Sequence, residues 1–310
     1  MKIVIVGGVA GGMSCAARAR RLDEAAEIVV LERGEHVSFA NCGLPYYVGG
    51  EITDPGALLV QTPASLRAAL DLDVRTRHDV TGLDADRKVV TVNTPDGVAE
   101  LDYDALVLAP GARAVVPPIP GIDSPRVRTL RTVDDALALR DGVEAGARDA
   151  VVLGAGFIGL EAAEALAHQG LNVTIVELAP HVLPPLESEL ATLVTAELAA
   201  LGIDVRAGVA ATAIEPEGGR DAVVLADGSR VPADLIVLSV GVRPDTAAFE
   251  AAGVACERGA MLVDAHGRTS LEGVWAVGDA TASVDAVTGA VRPVALAGPQ
   301  RGQVLHRLHV

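Results

Sequence analysis

Residues 150–159 read Ala150-Val151-Val152-Leu153-Gly154-Ala155-Gly156-Phe157-Ile158-Gly159. Four apolar residues predict a buried strand, and a complete G-x-G-x-x-G follows it at once. The run from about Phe157 to His168 predicts a helix, and Leu171 to Val176 predicts the next strand, ending on Glu177. Strand, glycine turn, helix, strand and acid, in that order, form the βαβ unit that binds a dinucleotide. Its pyrophosphate sits over the helix N-terminus. Glu177 lies 18 residues past Gly159 and suits the free 2′-hydroxyl of NAD(H). A 2′-phosphate would be repelled there, and Ala179-Pro180-His181 brings no arginine to receive one. NADH is therefore favoured over NADPH.

The same order recurs at the start of the chain. Lys2-Ile3-Val4-Ile5-Val6 stops at Gly7-Gly8, too soon for the apolar region of a signal peptide, and predicts a first strand. Gly7-Gly8-Val9-Ala10-Gly11-Gly12 follows, with a helix expected from about Ala10 to Leu22. Ile28 to Leu31 predicts the second strand, and Glu32, 20 residues past Gly12, is placed to accept from a ribose hydroxyl. Gly7 permits the tight turn and Gly12 permits close helix–strand packing. One position departs from the motif: Val9 replaces the middle glycine.

Thr62-Pro63 predicts the start of a short helix, and Asp96-Gly97 and Asp227-Gly228 mark hairpins. Gly273 to Ala280 reads as strand, tight turn and helix, with Asp279 either meeting a flavin ribityl hydroxyl or capping that helix. The proline-rich residues 113–125 and the stretch Ser239 to Pro244 predict two domain crossings. The expected fold is α/β, with two Rossmann-like dinucleotide-binding domains, the second inserted in the first. The crossings set the expected bounds at residues 1–115 with 244–310 for the outer domain and residues 116–243 for the inserted one.

Between the loops lies Ser38-Phe39-Ala40-Asn41-Cys42-Gly43-Leu44-Pro45-Tyr46-Tyr47-Val48-Gly49-Gly50. Asn41 is a good N-cap residue and would place Cys42 in the first turn of a short helix. Backbone N–H groups at a helix start favour an anion, hence a nucleophilic thiolate. The plainer reading is a small buried hydrophobe, which two flanking dinucleotide loops disfavour. Cys15 and Cys256 complete a sparse, odd set with no pairing pattern, which predicts a reducing compartment, the cytoplasm. A net charge of −16, dispersed along the chain, argues against nucleic acid or an anionic membrane as partner. No apolar run reaches the ~18 residues of a membrane helix, and the histidines show no metal-ligand spacing, so no metal is expected. The residues together suggest a flavoprotein that uses NAD(P)H to reduce something bound at Cys42.

With these motifs in place, the chain resembles the flavoprotein disulfide reductases with two dinucleotide-binding domains. Within them it is most similar to the coenzyme A disulfide reductase branch, whose members carry a single redox cysteine. The likeness covers essentially the whole chain and is most specific at Ser38 to Gly50. Gly7 to Gly12 with Glu32, Gly154 to Glu161, and Thr269 to Asp279 also match, and Val9 recurs in that branch. The resemblance implies FAD on Gly7, Gly8, Gly12, Glu32 and Asp279. It implies NAD(P)H on Gly154, Gly156, Gly159 and Glu177, with Phe157 as a gating aromatic over the flavin. It makes Cys42 the catalytic nucleophile and puts coenzyme A against Ser14, Arg18, Arg21, Ser38 and Asn41. Arg18 and Arg21, three apart on one helix face, suit phosphates, the bland alternative being solvated surface charge.

Two-cysteine relatives carry the second thiol five positions on, where this chain has Tyr47. The resemblance therefore has Cys42 cycle through a mixed disulfide, a persulfide or a sulfenic acid. Peroxidases and water-forming oxidases of the family place a histidine where this chain has Ala10. The implied activity is FAD-dependent reduction of coenzyme A disulfide, or of a coenzyme A persulfide or polysulfide, by NAD(P)H. An NADH oxidase or peroxidase, and a flavin-binding redox sensor without turnover, are the alternatives.

Family members continue into a C-terminal domain that builds a homodimer and lends tyrosines to the partner's cysteine site. The expectation is a chain without that domain, open to being monomeric, whose coenzyme A site lacks part of its walls. Gln303 to Val310 reads as the last helix of the FAD-binding domain, cut short. A basic residue that close relatives carry near the substrate is missing at about Leu70.

Overall fold

Ile3, Val4, Ile5 and Val6 are all buried, because both faces of their sheet are covered. Successive strand side chains alternate between faces. Ile3 and Ile5, with Ile28, Val30 and Val107, pack against Met13, Cys15, Ala16 and Ala19 of the helix Ala10–Leu22. Val4 and Val6, with Val29, Leu31, Leu106 and Leu108, pack against Val90, Val92, Tyr103 and Phe249. Continuous apolar strands of this kind belong to parallel sheets covered on both sides, and each fully buried Val, Ile or Leu contributes ~1.5–3 kcal/mol.

The computed structural model describes residues 1–285, 288 and 290–293. The chain divides into two units: residues 1–39, 59–113 and 243 onward, and residues 40–58 with 114–242. The first unit holds a parallel sheet in the order Val274–Ala276, Ala105–Leu108, Lys2–Val6, Glu27–Leu31, Asp73–Arg75. An antiparallel meander, Asp79–Asp84, Val89–Thr94 and Gly97–Asp102, accompanies it. The second unit repeats the plan. Its parallel sheet runs Asp204–Ala207, Asn172–Glu177, Asp149–Leu153, Leu235–Leu238, Val127–Arg128. Its meander is Ala211–Glu217, Arg220–Leu225 and Arg230–Ala233. In both sheets the strand order reverses at the strand before the glycine loop, and the crevice for a ligand opens there. This is the expected α/β fold of two Rossmann-like units.

Three expectations need correction or relocation. Asn41 is not an N-cap. Asn41–Gly43 forms a 3₁₀ turn entered from Ala40, the α-helix begins only at Leu44, and neither start has a side-chain cap. Pro45 explains the shift, since a proline with fixed φ and no N–H belongs in the first helical turn. Cys42 therefore lies in the 3₁₀ turn ahead of the α-helix and not in the first turn of a helix capped by Asn41. The turn holding Asp279 leads into a strand, Thr281–Val284, and not into a helix, so Asp279 caps no helix there. Residues 40–58, expected with the first unit, group with the second. Gln303 to Val310 lies outside the described residues.

Candidate functional site

Gly7 leaves the first strand with φ of 98°, a conformation that glycine adopts without steric cost. A Cβ there would overlap the carbonyl of Ala109, and one at Gly12 would overlap the carbonyl of Gly7. Both glycines are required by close approach. The Gly8 amide donates to Oε2 of Glu32 at 2.6 Å, and the Gly34 amide donates to Oε1 at 2.7 Å. These bonds satisfy a carboxylate whose residue is only 9% exposed, as a buried charge requires. The helix Ala10–Leu22 starts without a side-chain cap, so its first-turn amides are open to an anion. Val277 and Gly278 lie beside Gly11, which brings the half-buried Asp279 to the same end of the sheet. Glycine approach, free helix-start amides and a fixed carboxylate suit the pyrophosphate and ribose of a dinucleotide such as FAD.

The second unit builds the same device. Gly154 has φ of 102°, a Cβ on it would overlap the carbonyl of Ser239, and a Cβ on Gly159 would overlap the carbonyl of Gly154. Glu177 accepts from the Ala155 amide at 2.6 Å and from the Ala179 amide at 2.7 Å. The helix Phe157–His168 is preceded by Gly156 and again has no side-chain cap. A Cβ on Gly156 would meet nothing within 4 Å, which leaves room for a ligand. Phe157, at the helix start, is 68% exposed, an uncovered aromatic at the mouth of the loop.

The Cys42 segment is anchored within the second unit. The helix Leu44–Val48 packs on Val133–Glu144 and Phe157–His168. Gln169 Nε2 donates to the Gly49 carbonyl, and Arg140 Nη1 donates to the Val48 carbonyl at 3.4 Å. All three cysteines are free: Cys42 is exposed, Cys256 half-buried and Cys15 buried. Burial pushes the Cys15 thiol up to about 12, and burial followed by the neighbouring Glu250 pushes Cys256 up. Both are poor thiolate formers. The exposed thiol is Cys42.

Ser14, Arg18 and Arg21 fall at i, i+4 and i+7 on the helix Ala10–Leu22 and share one face. The Ser14 hydroxyl donates to the Ala10 carbonyl at 2.6 Å. Neither Arg18 nor Arg21 has a hydrogen-bond or ion-pair partner among the described residues, whereas Arg20 is bonded to the carbonyls of Leu70, Asp71, Asp23 and Glu24. Ser38 stands in the first unit and Asn41 in the second. Among the described residues, no three His, Cys, Asp or Glu side chains are grouped to hold a metal, and no helix is long and apolar enough to cross a membrane.

Residues 1–294 match the family model described as pyridine nucleotide-disulphide oxidoreductase. The chain belongs to this family. As a pyridine nucleotide-disulphide oxidoreductase it is an enzyme of the oxidoreductase class, and the family's cofactors are FAD and NAD(P)H. The chain is 32% identical over 311 residues to an NADH oxidase of Methanocaldococcus jannaschii, covering 98% of this chain and 69% of that protein. It is 33% identical over 286 residues to a coenzyme A disulfide reductase of Staphylococcus haemolyticus, covering 91% and 63%. Among solved structures, a NAD-dependent persulfide reductase from A. fulgidus superposes with a TM-score of 0.94 at 37% identity, covering 98% of this chain and 58% of that one. The chain thus spans about three-fifths to two-thirds of the length of these relatives.

Sequence reasoning missed the supports. Ala109 and Ser239, whose carbonyls abut the turn glycines, are ordinary residues after a strand. Gln169 and Arg140, which hold the Cys42 segment, carry no motif. The amide donors Gly34 and Ala179 were detectable, since each lies two residues past its acid in the two repeats.

Proposed function

We propose that this chain takes reducing equivalents from NADH through FAD and delivers them to a disulfide or persulfide sulfur at Cys42. The observation that carries the reading is the exposed Cys42 thiol, in a chain with two loops built alike for dinucleotides, while Cys15 is buried and Cys256 half-buried. FAD belongs to Gly7, Gly8, Gly12, Glu32 and Asp279, in a domain drawn from residues 1–115 and 244–310, apart from residues 40–58, which group with the second unit. The nicotinamide dinucleotide belongs to Gly154, Gly156, Phe157, Gly159 and Glu177, in residues 116–243. Glu177 is a fixed carboxylate with both oxygens already accepting amides, which disfavours a 2′-phosphate by like-charge repulsion.

The bound cofactors supply hydride and electron transfer. The chain supplies the nucleophile. The Cys42 thiolate attacks one sulfur of the substrate disulfide, forming a mixed disulfide and releasing the other sulfur as a thiolate. Two electrons and a proton then return the mixed disulfide to the Cys42 thiolate and a second free thiol. Coenzyme A is the favoured carrier of that sulfur. The relative named coenzyme A disulfide reductase supports this, as do the unpartnered Arg18 and Arg21, which suit phosphates on one helix face with Ser14. Ser38 and Asn41 complete the proposed contacts.

A second reading, an NADH oxidase, is supported by the Methanocaldococcus relative of that name. Ala10, in place of a loop histidine, speaks against it. The test is an anaerobic NADH titration followed by the visible spectrum. A yellow protein bleached by NADH and restored by coenzyme A disulfide supports the proposal. Restoration only by oxygen favours the oxidase, and no flavin spectrum even with added FAD rejects both.

A further inference from the structure

We infer that Ser38 and Leu183 are positioning residues that aim one phosphate-facing amide in each glycine loop. The inference rests on the dinucleotide reading of those loops.

Ser38 has φ of 49° and Leu183 has φ of 47°. Side chains other than glycine, asparagine and aspartate seldom adopt this left-handed region. Each lies six residues past the acid of its loop, Glu32 or Glu177. Each gives its amide to the carbonyl of the second loop residue: Ser38 N–H to Gly8 at 2.8 Å, and Leu183 N–H to Ala155 at 2.8 Å. The acids take the amides of those same two residues. Gly8 and Ala155 are therefore held on both sides, by a carboxylate on the N–H and by a left-handed amide on the C=O. The device appears twice, in units that share the acid and the His-Val pair before the left-handed residue, His36-Val37 and His181-Val182, but not the left-handed residue itself.

A trans peptide is planar, so its N–H points opposite to its C=O. Holding the Gly8 carbonyl toward Ser38 turns the Val9 N–H the other way. Holding the Ala155 carbonyl toward Leu183 does the same for the Gly156 N–H. Neither N–H has a partner among the described residues, and the space at Gly156 is open. A flipped peptide would instead present a carbonyl oxygen to an anion. The left-handed residue thus selects which pole of the peptide dipole faces the phosphate. This also accounts for the tolerance of Val9 in the first loop, since the amide and not the side chain is what the position displays.

Backbone preference and volume can be separated by paired variants. Leu183→Ile keeps the buried volume but disfavours φ above zero, because Ile is β-branched. Leu183→Gly keeps the conformation but leaves a cavity. The readout is the dissociation constant for ADP-ribose, which carries the pyrophosphate without a redox centre, together with the thermal midpoint of the ligand-free site. The expected result is a dissociation constant raised ~10-fold or more by Leu183→Ile and changed by less than ~3-fold by Leu183→Gly, with the lower midpoint in the Gly variant. For the first loop, loss of flavin fluorescence quenching on dilution is expected to accelerate in Ser38→Val and not in Ser38→Gly. Binding that follows volume, with Ile intact and Gly impaired, would overturn the inference while leaving the dinucleotide reading in place. A parent chain that retains no FAD and binds no ADP-ribose would overturn that reading, and this inference with it.

Discussion

The two glycine loops share one backbone and differ in how far each is open. At the first loop, a Cβ on Gly8 would meet Val37 Cγ1 at 2.8 Å and Glu32 Cβ at 3.0 Å, and Glu32 is buried. At the second, the matching position already holds Ala155, the acid Glu177 is half-buried, and Gly156 faces open space. The first loop begins its helix with Ala10, the second with the exposed Phe157. A site closed around its acid suits a cofactor that stays through many turnovers. An open mouth with an exposed aromatic suits one that must leave after each. The same fold thus serves residence and exchange through a handful of side chains around an unchanged turn.

The first way to break this comparison is to remove what neither loop contains. Cys42→Ser is expected to lower disulfide turnover by at least ~10³-fold, as loss of a nucleophile does, while flavin content and reduction of the flavin by NADH persist. Steady-state and anaerobic half-reaction assays check both sides. Next comes a matched pair at the close approaches. Gly12→Ala and Gly159→Ala each force a methyl into a carbonyl, at a cost of ~1–3 kcal/mol. The first should empty the protein of flavin, and the second should leave it yellow but unable to accept electrons from NADH. Flavin loss in both would mean that the loops are not independent.

The acids sharpen the comparison at a smaller scale. A glutamine amide cannot accept at both positions where a backbone N–H now donates. Glu32→Gln, in the buried setting, should destabilise the protein by ~1–2 kcal/mol, read as a lower urea midpoint. Glu177→Gln, half-exposed, should barely move that midpoint and should instead narrow the preference for NADH over NADPH. The smallest effect concerns Cys15, on the first helix and without a counterpart in Phe157–His168. Its thiol is held protonated to about 12 when folded, against 9.0 as the ordinary value. The folded state then binds the extra proton, so this stability is complete below pH 9 and is lost as pH rises toward 12. Thermal midpoints between pH 8 and 10.5 should fall less steeply in Cys15→Ala than in the parent.

The βαβ units were legible because their signals are local. Gly12 and Gly159 answer to the carbonyls of Gly7 and Gly154 just before them, Gly7 and Gly154 to the positive φ of the turns they open, and Glu32 and Glu177 follow or end strands whose apolar runs are unbroken. The start of the Cys42 segment was misread because Asn41 and Pro45 give competing local signals, and a proline in the first turn outweighs an asparagine that finds no amide to cap. The placement of residues 40–58 was not legible at all. It depends on Arg140 and Gln169, about 90 and 120 residues away, whose side chains reach two backbone carbonyls. Contacts of that kind leave no periodicity or motif to read. The helix expected after Asp279 failed for a similar reason: Thr281–Val284 pairs with Ala260–Leu262 and Val291–Pro293, and non-local pairing overrode the turn's local promise.

The two sheets take their last strand from opposite directions along the chain. Val127–Arg128 reaches the second sheet before its glycine loop has been made, whereas Val274–Ala276 reaches the first sheet long after. On a ribosome, which emits the chain from its N-terminus, the second unit holds every strand of its sheet once residue 238 has emerged. The first unit must wait for residue 276, and the turn at Asp279 arrives later still. The inserted unit is thus free to fold during synthesis, and the pocket proposed for flavin, begun first, is the last to be finished. Flavin can engage all its proposed contacts only on a chain in which every strand of the inserted unit's parallel sheet has already emerged.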